Sequence, residues 1–97
     1  MWILRSSEAD GSLTFRLPVG ASKTMGRGPT ADLIVDLALV SRIHCRVTAG
    51  NERLEVEDLS STNGTFINDQ RIETGHLSDG GRLRIGRVEL AVEQIQQ

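Results

Sequence analysis

A single cysteine, Cys45, stands in the 97 residues of this chain, so no internal disulfide can form. Small secreted domains usually need several such bridges. The expected setting is an intracellular, reducing compartment: the nucleus in a eukaryote, the cytoplasm in a bacterium. Aromatic residues are scarce too, with Trp2, Phe15 and Phe66 the whole set and no tyrosine. That leaves little for bases to stack on and, with a net charge of −2, argues against direct nucleic-acid binding. No apolar run approaches the roughly 20 residues of a membrane helix. The opening Met1-Trp2-Ile3-Leu4-Arg5 is too short and too soon charged for a secretory signal, so no membrane partner is expected. Lysine is also nearly absent: Lys23 stands alone beside ten arginines. Guanidinium is the better group for fork-like recognition of a carboxylate or phosphate, so the position of the arginines matters more than their sum.

What is present, 38% hydrophobic and 25% charged residues, is the composition of an ordinary globular protein, and the length suits one domain over residues 1–97. Ten glycines spread from Gly11 to Gly86 punctuate short segments. The recurring period is two. Leu54 and Val56 alternate with Arg53, Glu55 and Glu57; Leu83 and Ile85 with Arg82 and Arg84; Val88, Leu90 and Val92 with Glu89, Ala91 and Glu93. Further strands are read at Trp2 to Arg5, Thr14 to Leu17, Lys23 to Met25, Leu33 to Val35, Ile43 to Thr48 and Thr65 to Ile67. Leu33, Leu37 and Val40 fall near helical spacing, but the segment is short, uncapped and β-branched, and it reads as strand then loop. The expectation is an all-β sandwich of two antiparallel sheets with its loops at the ends, where function in such domains resides.

Three loop segments hold residues that a core does not require: Gly26-Arg27-Gly28-Pro29, Val40-Ser41-Arg42-Ile43-His44 and Ser60-Ser61-Thr62-Asn63-Gly64-Thr65. Together they offer guanidinium, hydroxyl and amide groups, the set that suits a phosphate dianion. Such local concentration is needed in a slightly acidic chain, because distant charges are screened over about 8 Å at physiological salt. A loop that also encloses a methyl group of its ligand gains about 0.8 kcal/mol, more if packing is tight.

The ordered set Gly26-Arg27, Ser41-x-x-His44, Asp58-x-Ser60-Ser61-Thr62-Asn63-Gly64-Thr65-x-x-Asn68, Leu77-x-Asp79-Gly80 and Ile85-Gly86 resembles the forkhead-associated (FHA) domain, with the motif-bearing core over 25–86. The resemblance implies a sandwich of about eleven short strands whose loops at one end bind phosphothreonine in an extended peptide. It implies a protein-interaction module recruiting a threonine-phosphorylated partner in kinase-dependent signalling, with no catalytic activity, no cofactor and no small-molecule substrate. By position it assigns the phosphate to Arg27, Ser41 and Thr62, the peptide to Arg42, Asn63 and Leu39, and support of the loops to Gly26, His44 and Gly64. Leu39 stands where some members carry an arginine that reads a later peptide residue, so the expected preference there turns apolar. Gly81 and Asp69 depart from the usual aspartate and glycine, in turns remote from the phosphate. The amino terminus, with a first strand almost at once, is similar to nibrin-like members; small bacterial members working with serine/threonine kinases are the other lineage.

Plainer readings stand beside these. Arg27 also reads as a plain surface arginine, although its place between two glycines and a proline favours the phosphate role; Ser41 and Thr62 also read as side chains bonded to their own turns, and Asn63 as the turn former of an Asn-Gly pair. The fold also suits a structural or oligomerisation domain without phosphate recognition. Ser41 with His44 suggests a hydrolase, but no acid is placed to orient the imidazole. His44, Cys45 and His76 lack zinc spacing, so no metal is expected. Cys45 reads as a small core residue, Asn63-Gly64-Thr65 as a chance glycosylation pattern, and Arg82, Arg84 and Arg87 as a solvated strand face carrying edge charges.

Overall fold

In the segment Val88–Gln94, Val88, Leu90 and Val92 are buried while Glu89, Ala91 and Glu93 face solvent, the arrangement of a strand laid by one face on a core. The same logic runs through the computed structural model, which describes residues 1–96. In chain order the strands are β1 (Trp2–Ser6), β2 (Thr14–Leu17), β3 (Ser22–Gly26), β4 (Leu33–Ile34), β5 (Cys45–Ala49), β6 (Leu54–Asp58), β7 (Thr65–Ile67), β8 (Gln70–Ile72), β9 (Thr74–Leu77), β10 (Arg82–Ile85) and β11 (Val88–Gln94). They form a six-stranded sheet in the order β2-β1-β11-β10-β7-β8 and a five-stranded sheet in the order β4-β3-β5-β6-β9.

The inner faces close over Trp2, Leu4, Leu17, Met25, Val47, Leu54, Leu77, Leu83, Ile85 and Leu90, each about 1% exposed or less. Each such side chain contributes roughly 1.5–3 kcal/mol through its burial. Trp2 also carries a donor into this interior. Its indole Nε1 donates to the carbonyl of Gly50 at 2.8 Å, which ties the first strand to the turn between β5 and β6 in the opposite sheet.

The all-β two-sheet sandwich stands, and three details differ from expectation. The pairing of β3 with β4 is parallel, because the chain between them loops out through Arg27 to Asp32 and returns in the same direction. β8 and β9 were not read as strands: Gln70 to Leu77 shows no apolar alternation, since β8 and β9 lie at sheet edges where little of either face is buried. β5 begins at Cys45 rather than Ile43, because the residues before it are bonded into the neighbouring loops. The stretch Glu8–Asp10 makes one turn of 3-10 helix stopped by Gly11 at φ +90°.

Candidate functional site

The turn after β3 and the β4–β5 loop are joined backbone to backbone. The N–H of Arg27 donates to the carbonyl of Ser41 at 2.9 Å, and that of Gly28 to the carbonyl of Arg42 at 3.0 Å. Glycine at 26 is required for this approach, since a Cβ there would lie 2.0 Å from the Arg42 carbonyl oxygen. Asp32 braces the same turn from outside. Its Oδ2 accepts from both the N–H and the hydroxyl of Thr24, and the bond from the Thr24 backbone is the main cause holding its carboxyl below the ordinary range.

Arg27 itself is exposed, yet it is aimed. Its Nε donates to the carbonyl of Val40 at 3.1 Å, which fixes the plane of the guanidinium and leaves both terminal nitrogens for a ligand. None of the ion pairs among the described residues involves it. An open hollow of about 350 Å³ is lined by Arg27, Leu39, Ser41, Thr62 and Asn63 among others. The other face of Arg27 borders a second hollow with Arg42 and Asp36.

Ser41 Oγ accepts the backbone N–H of Thr62 at 3.0 Å. With that lone pair engaged, its own proton points elsewhere and is available to an anion. Thr62 and Asn63 are exposed at the tip of the β6–β7 loop, whose shape is set by Asp58. Asp58 Oδ1 accepts from the hydroxyls of Ser61 at 2.5 Å and Thr65 at 2.7 Å, and its Oδ2 accepts from the Ser61 N–H. Ser61 Oγ in turn accepts the Gly64 N–H. Burial raises the Asp58 carboxyl, but these hydrogen bonds outweigh it and hold it below its ordinary range.

His44, fully buried, joins the two loops. Its Nδ1 accepts the backbone N–H of Ser41 at 3.0 Å, so Nε2 carries the proton and donates to the carbonyl of Gly64 at 2.8 Å. The imidazole therefore meets the backbone of Ser41 and not its hydroxyl. A hydrolase built on this pair has no base, and that reading falls. Burial pushes the Cys45 thiol up to about 12, so this core thiol is unreactive.

Leu39 is exposed and holds a left-handed backbone, φ +71°, an arrangement that costs a β- or γ-branched residue about 1 kcal/mol. Its carbonyl accepts from Asn63 Nδ2 at 3.0 Å and lies close behind Gly86, where a Cβ would come within 2.8 Å. Asn63 thus spends one amide proton inside the site and keeps its carbonyl oxygen free. The structure brings Arg27, Leu39, Ser41, Thr62 and Asn63 around one hollow; Arg42 lines its neighbour, and Gly26, His44 and Gly64 lie beneath. The sequence reading gave no role to Asp58 and Ser61, although the Asp-x-x-Ser spacing ahead of an Asn-Gly pair is a turn signal that points to them. It also gave none to Gly86, whose contact with Leu39 is long-range.

The FHA domain model matches residues 23–86. The chain is 33% identical over 70 residues to the glycogen accumulation regulator GarA of Mycobacterium tuberculosis, covering 72% of this chain and 43% of GarA. It is 36% identical over 80 residues to the ABC transporter ATP-binding/permease protein Rv1747 of the same organism, covering 82% of this chain and 9% of that protein. It spans less than half the length of the curated relatives it matches. A solved FHA domain studied for phosphothreonine-dependent interactions superposes with a TM-score of 0.87 at 29% identity, covering 99% of this chain and 98% of the other. These relatives correct one expectation: they are bacterial FHA proteins, and the likeness to nibrin, which rested on little more than Met1-Trp2, finds no support among them. With its model matched over most of its length and its two-sheet frame shared, this chain belongs to the FHA domain family.

Proposed function

We propose that this FHA domain is a phosphothreonine-dependent protein-interaction module that recruits a threonine-phosphorylated bacterial protein. The observation that carries the reading is the guanidinium of Arg27, aimed by its bond to Val40 and in none of the ion pairs among the described residues, facing the same hollow as Ser41 and Thr62. Arg27 supplies the countercharge for a group of about −1.5 to −2, with the Ser41 hydroxyl and the exposed Thr62 as neutral donors to the remaining oxygens. The free carbonyl oxygen of Asn63 accepts a peptide N–H, and the exposed Leu39 and Arg42 meet flanking residues. Gly26, His44 and Gly64 act only by holding the loops.

One phosphate and a few extended residues give a small interface, so binding is moderate and switched by the kinase and phosphatase that set the mark. The bacterial relatives favour the cytoplasm over the nucleus as its place of work. Titration with matched phosphothreonine, phosphoserine and unmodified peptides tests the reading. The expected order is phosphothreonine, then phosphoserine, then no binding; equal affinity for all three overturns it.

A further inference from the structure

The outer face of the six-stranded sheet carries a second set of arginines, which the phosphate hollow does not use. In one row across three strands, Arg84 of β10 stands directly opposite Phe66 of β7, and Phe66 directly opposite Arg71 of β8. The Arg84 guanidinium lies over the Phe66 ring, 4.0 Å from its centre, so its plane is held and its edge is left to donate. Arg71 packs over Gly64: a Cβ on that glycine would meet Arg71 Nε at 2.8 Å and the Phe66 ring at 3.2 Å. Arg87 is exposed in the β10–β11 turn, next to the Gly86 that backs the Leu39 carbonyl. None of the ion pairs among the described residues involves Arg71, Arg84 or Arg87, whereas the nearby Arg5 and Arg82 pair with Glu93 and Asp69. Two carboxylates stand beside the row: Glu89, opposite Arg84 on β11 and without an ion pair to it, and Asp10, whose Oδ2 accepts the Glu89 N–H at 3.4 Å.

Three guanidinium groups, in none of the ion pairs among the described residues, thus adjoin the loop tip that bears Thr62 and Asn63. The four residue steps from Thr62 to Phe66 span at most about 13 Å of extended chain, so a peptide anchored at the hollow reaches the row with about four residues of its own.

We propose that Arg71, Arg84 and Arg87, with Phe66 holding Arg84 in place, form a secondary docking strip for aspartate and glutamate residues flanking the phosphothreonine of the same partner. This rests on the phosphothreonine reading above and adds to it a preference for acidic sequence at a distance from the phosphate. The charge is complementary, the strip is continuous with the hollow, and the fixed fork of Arg84 suits a carboxylate. Such pairs are exposed, so the preference is one of a few fold and is screened by salt.

The test compares three phosphothreonine peptides: one with neutral flanks, one with an acidic cluster about three to six residues before the phosphothreonine, and one with the cluster after it. Each is titrated against the wild-type chain and against the Arg71→Gln/Arg84→Gln double variant at low and at physiological salt. One of the acidic peptides is expected to bind the wild type about threefold to tenfold more tightly than the neutral one. That advantage shrinks as salt rises and disappears in the double variant, which keeps its affinity for the neutral peptide. If neutral and acidic peptides bind the wild type alike, or the advantage survives the double substitution, the strip is overturned and the phosphothreonine reading stands. If the neutral peptide does not bind the wild type at all, the phosphothreonine reading itself has failed and the strip falls with it.

Discussion

Asn63 donates its side-chain amide to the carbonyl oxygen of Leu39 at 3.0 Å, across a sequence separation of 24 residues. The bond fastens the tip of the β6–β7 loop to a backbone in the left-handed region, and Gly86 closes the space behind it. The edge of the hollow is therefore built from three loops, each holding the next. A strained residue kept in place by long-range contacts is what a pre-organised site requires.

Arg27→Ala is expected to lower affinity for a phosphothreonine peptide by about a hundredfold, because charge-assisted hydrogen bonds of roughly 1.5–3 kcal/mol each are lost. Arg27→Lys recovers only part of this, since lysine keeps the charge but has neither the fork nor the Nε bond to Val40. Glu93→Gln, which removes only the exposed contact with Arg5 on the outer face of the sheet, leaves affinity unchanged. Calorimetric titration of the three variants gives the comparison; an Arg27→Ala affinity near that of the wild type contradicts the assignment.

His44→Ala is expected to cost about 2–4 kcal/mol of stability by urea denaturation. It opens a cavity in a fully buried position and leaves the Ser41 N–H and the Gly64 carbonyl without partners. Binding weakens as well, because these bonds are what hold the two loops in register. A stable variant with wild-type affinity would mean that the imidazole is not the brace.

Acid destabilises this domain in part through Asp58. Its carboxyl is held below the ordinary value of 3.8 in the fold, so the unfolded chain binds the proton more readily. The contribution is fully present above the unfolded value and is lost as pH falls through the folded one. Between about pH 5 and pH 2 the urea midpoint of the wild type drops more steeply than that of Asp58→Asn, whose side chain does not titrate. Asp32, shifted in the same direction, accounts for part of the fall that remains. Parallel profiles for wild type and variant would remove Asp58 from this account.

Asp69→Gly is expected to raise stability by about 0.5–1 kcal/mol without changing affinity. Asn68 and Asp69 both hold positive φ, +47° and +69°, in the β7–β8 turn, where an Asn-Gly pair is the favoured sequence. The contact that is lost, Asp69 with Arg82 at 3.6 Å, is exposed and contributes little. A fall in melting temperature would show that the ion pair matters more than the backbone.

Much of this was open to reading along the chain. Alternation of Leu83 with Arg84, or of Val88 with Glu89, is a local record of which face is buried, and it survives folding because a strand has no other way to hide its apolar half. Arg27, Ser41 and the Ser60 to Thr65 segment announced themselves by residue type at glycine-rich turns, and the order of these motifs along the chain sufficed to suggest the family. β8 and β9 gave no such record, because edge strands are held by ladder bonds to a neighbour and not by a buried face of their own.

The primary structure by itself determined the class of fold, the loops that carry chemistry and the groups available there, since these depend on side-chain type and short-range period. Only the tertiary structure decided how those groups are aimed: the Nε of Arg27 on Val40, His44 between Ser41 and Gly64, Leu39 in a left-handed turn against Gly86, and Arg84 stacked on Phe66. The physical reason is that each of these contacts, from 13 residues apart upward except for that of Ser41 with His44, depends on where two sheets place the ends of separate strands, and no local period encodes that distance.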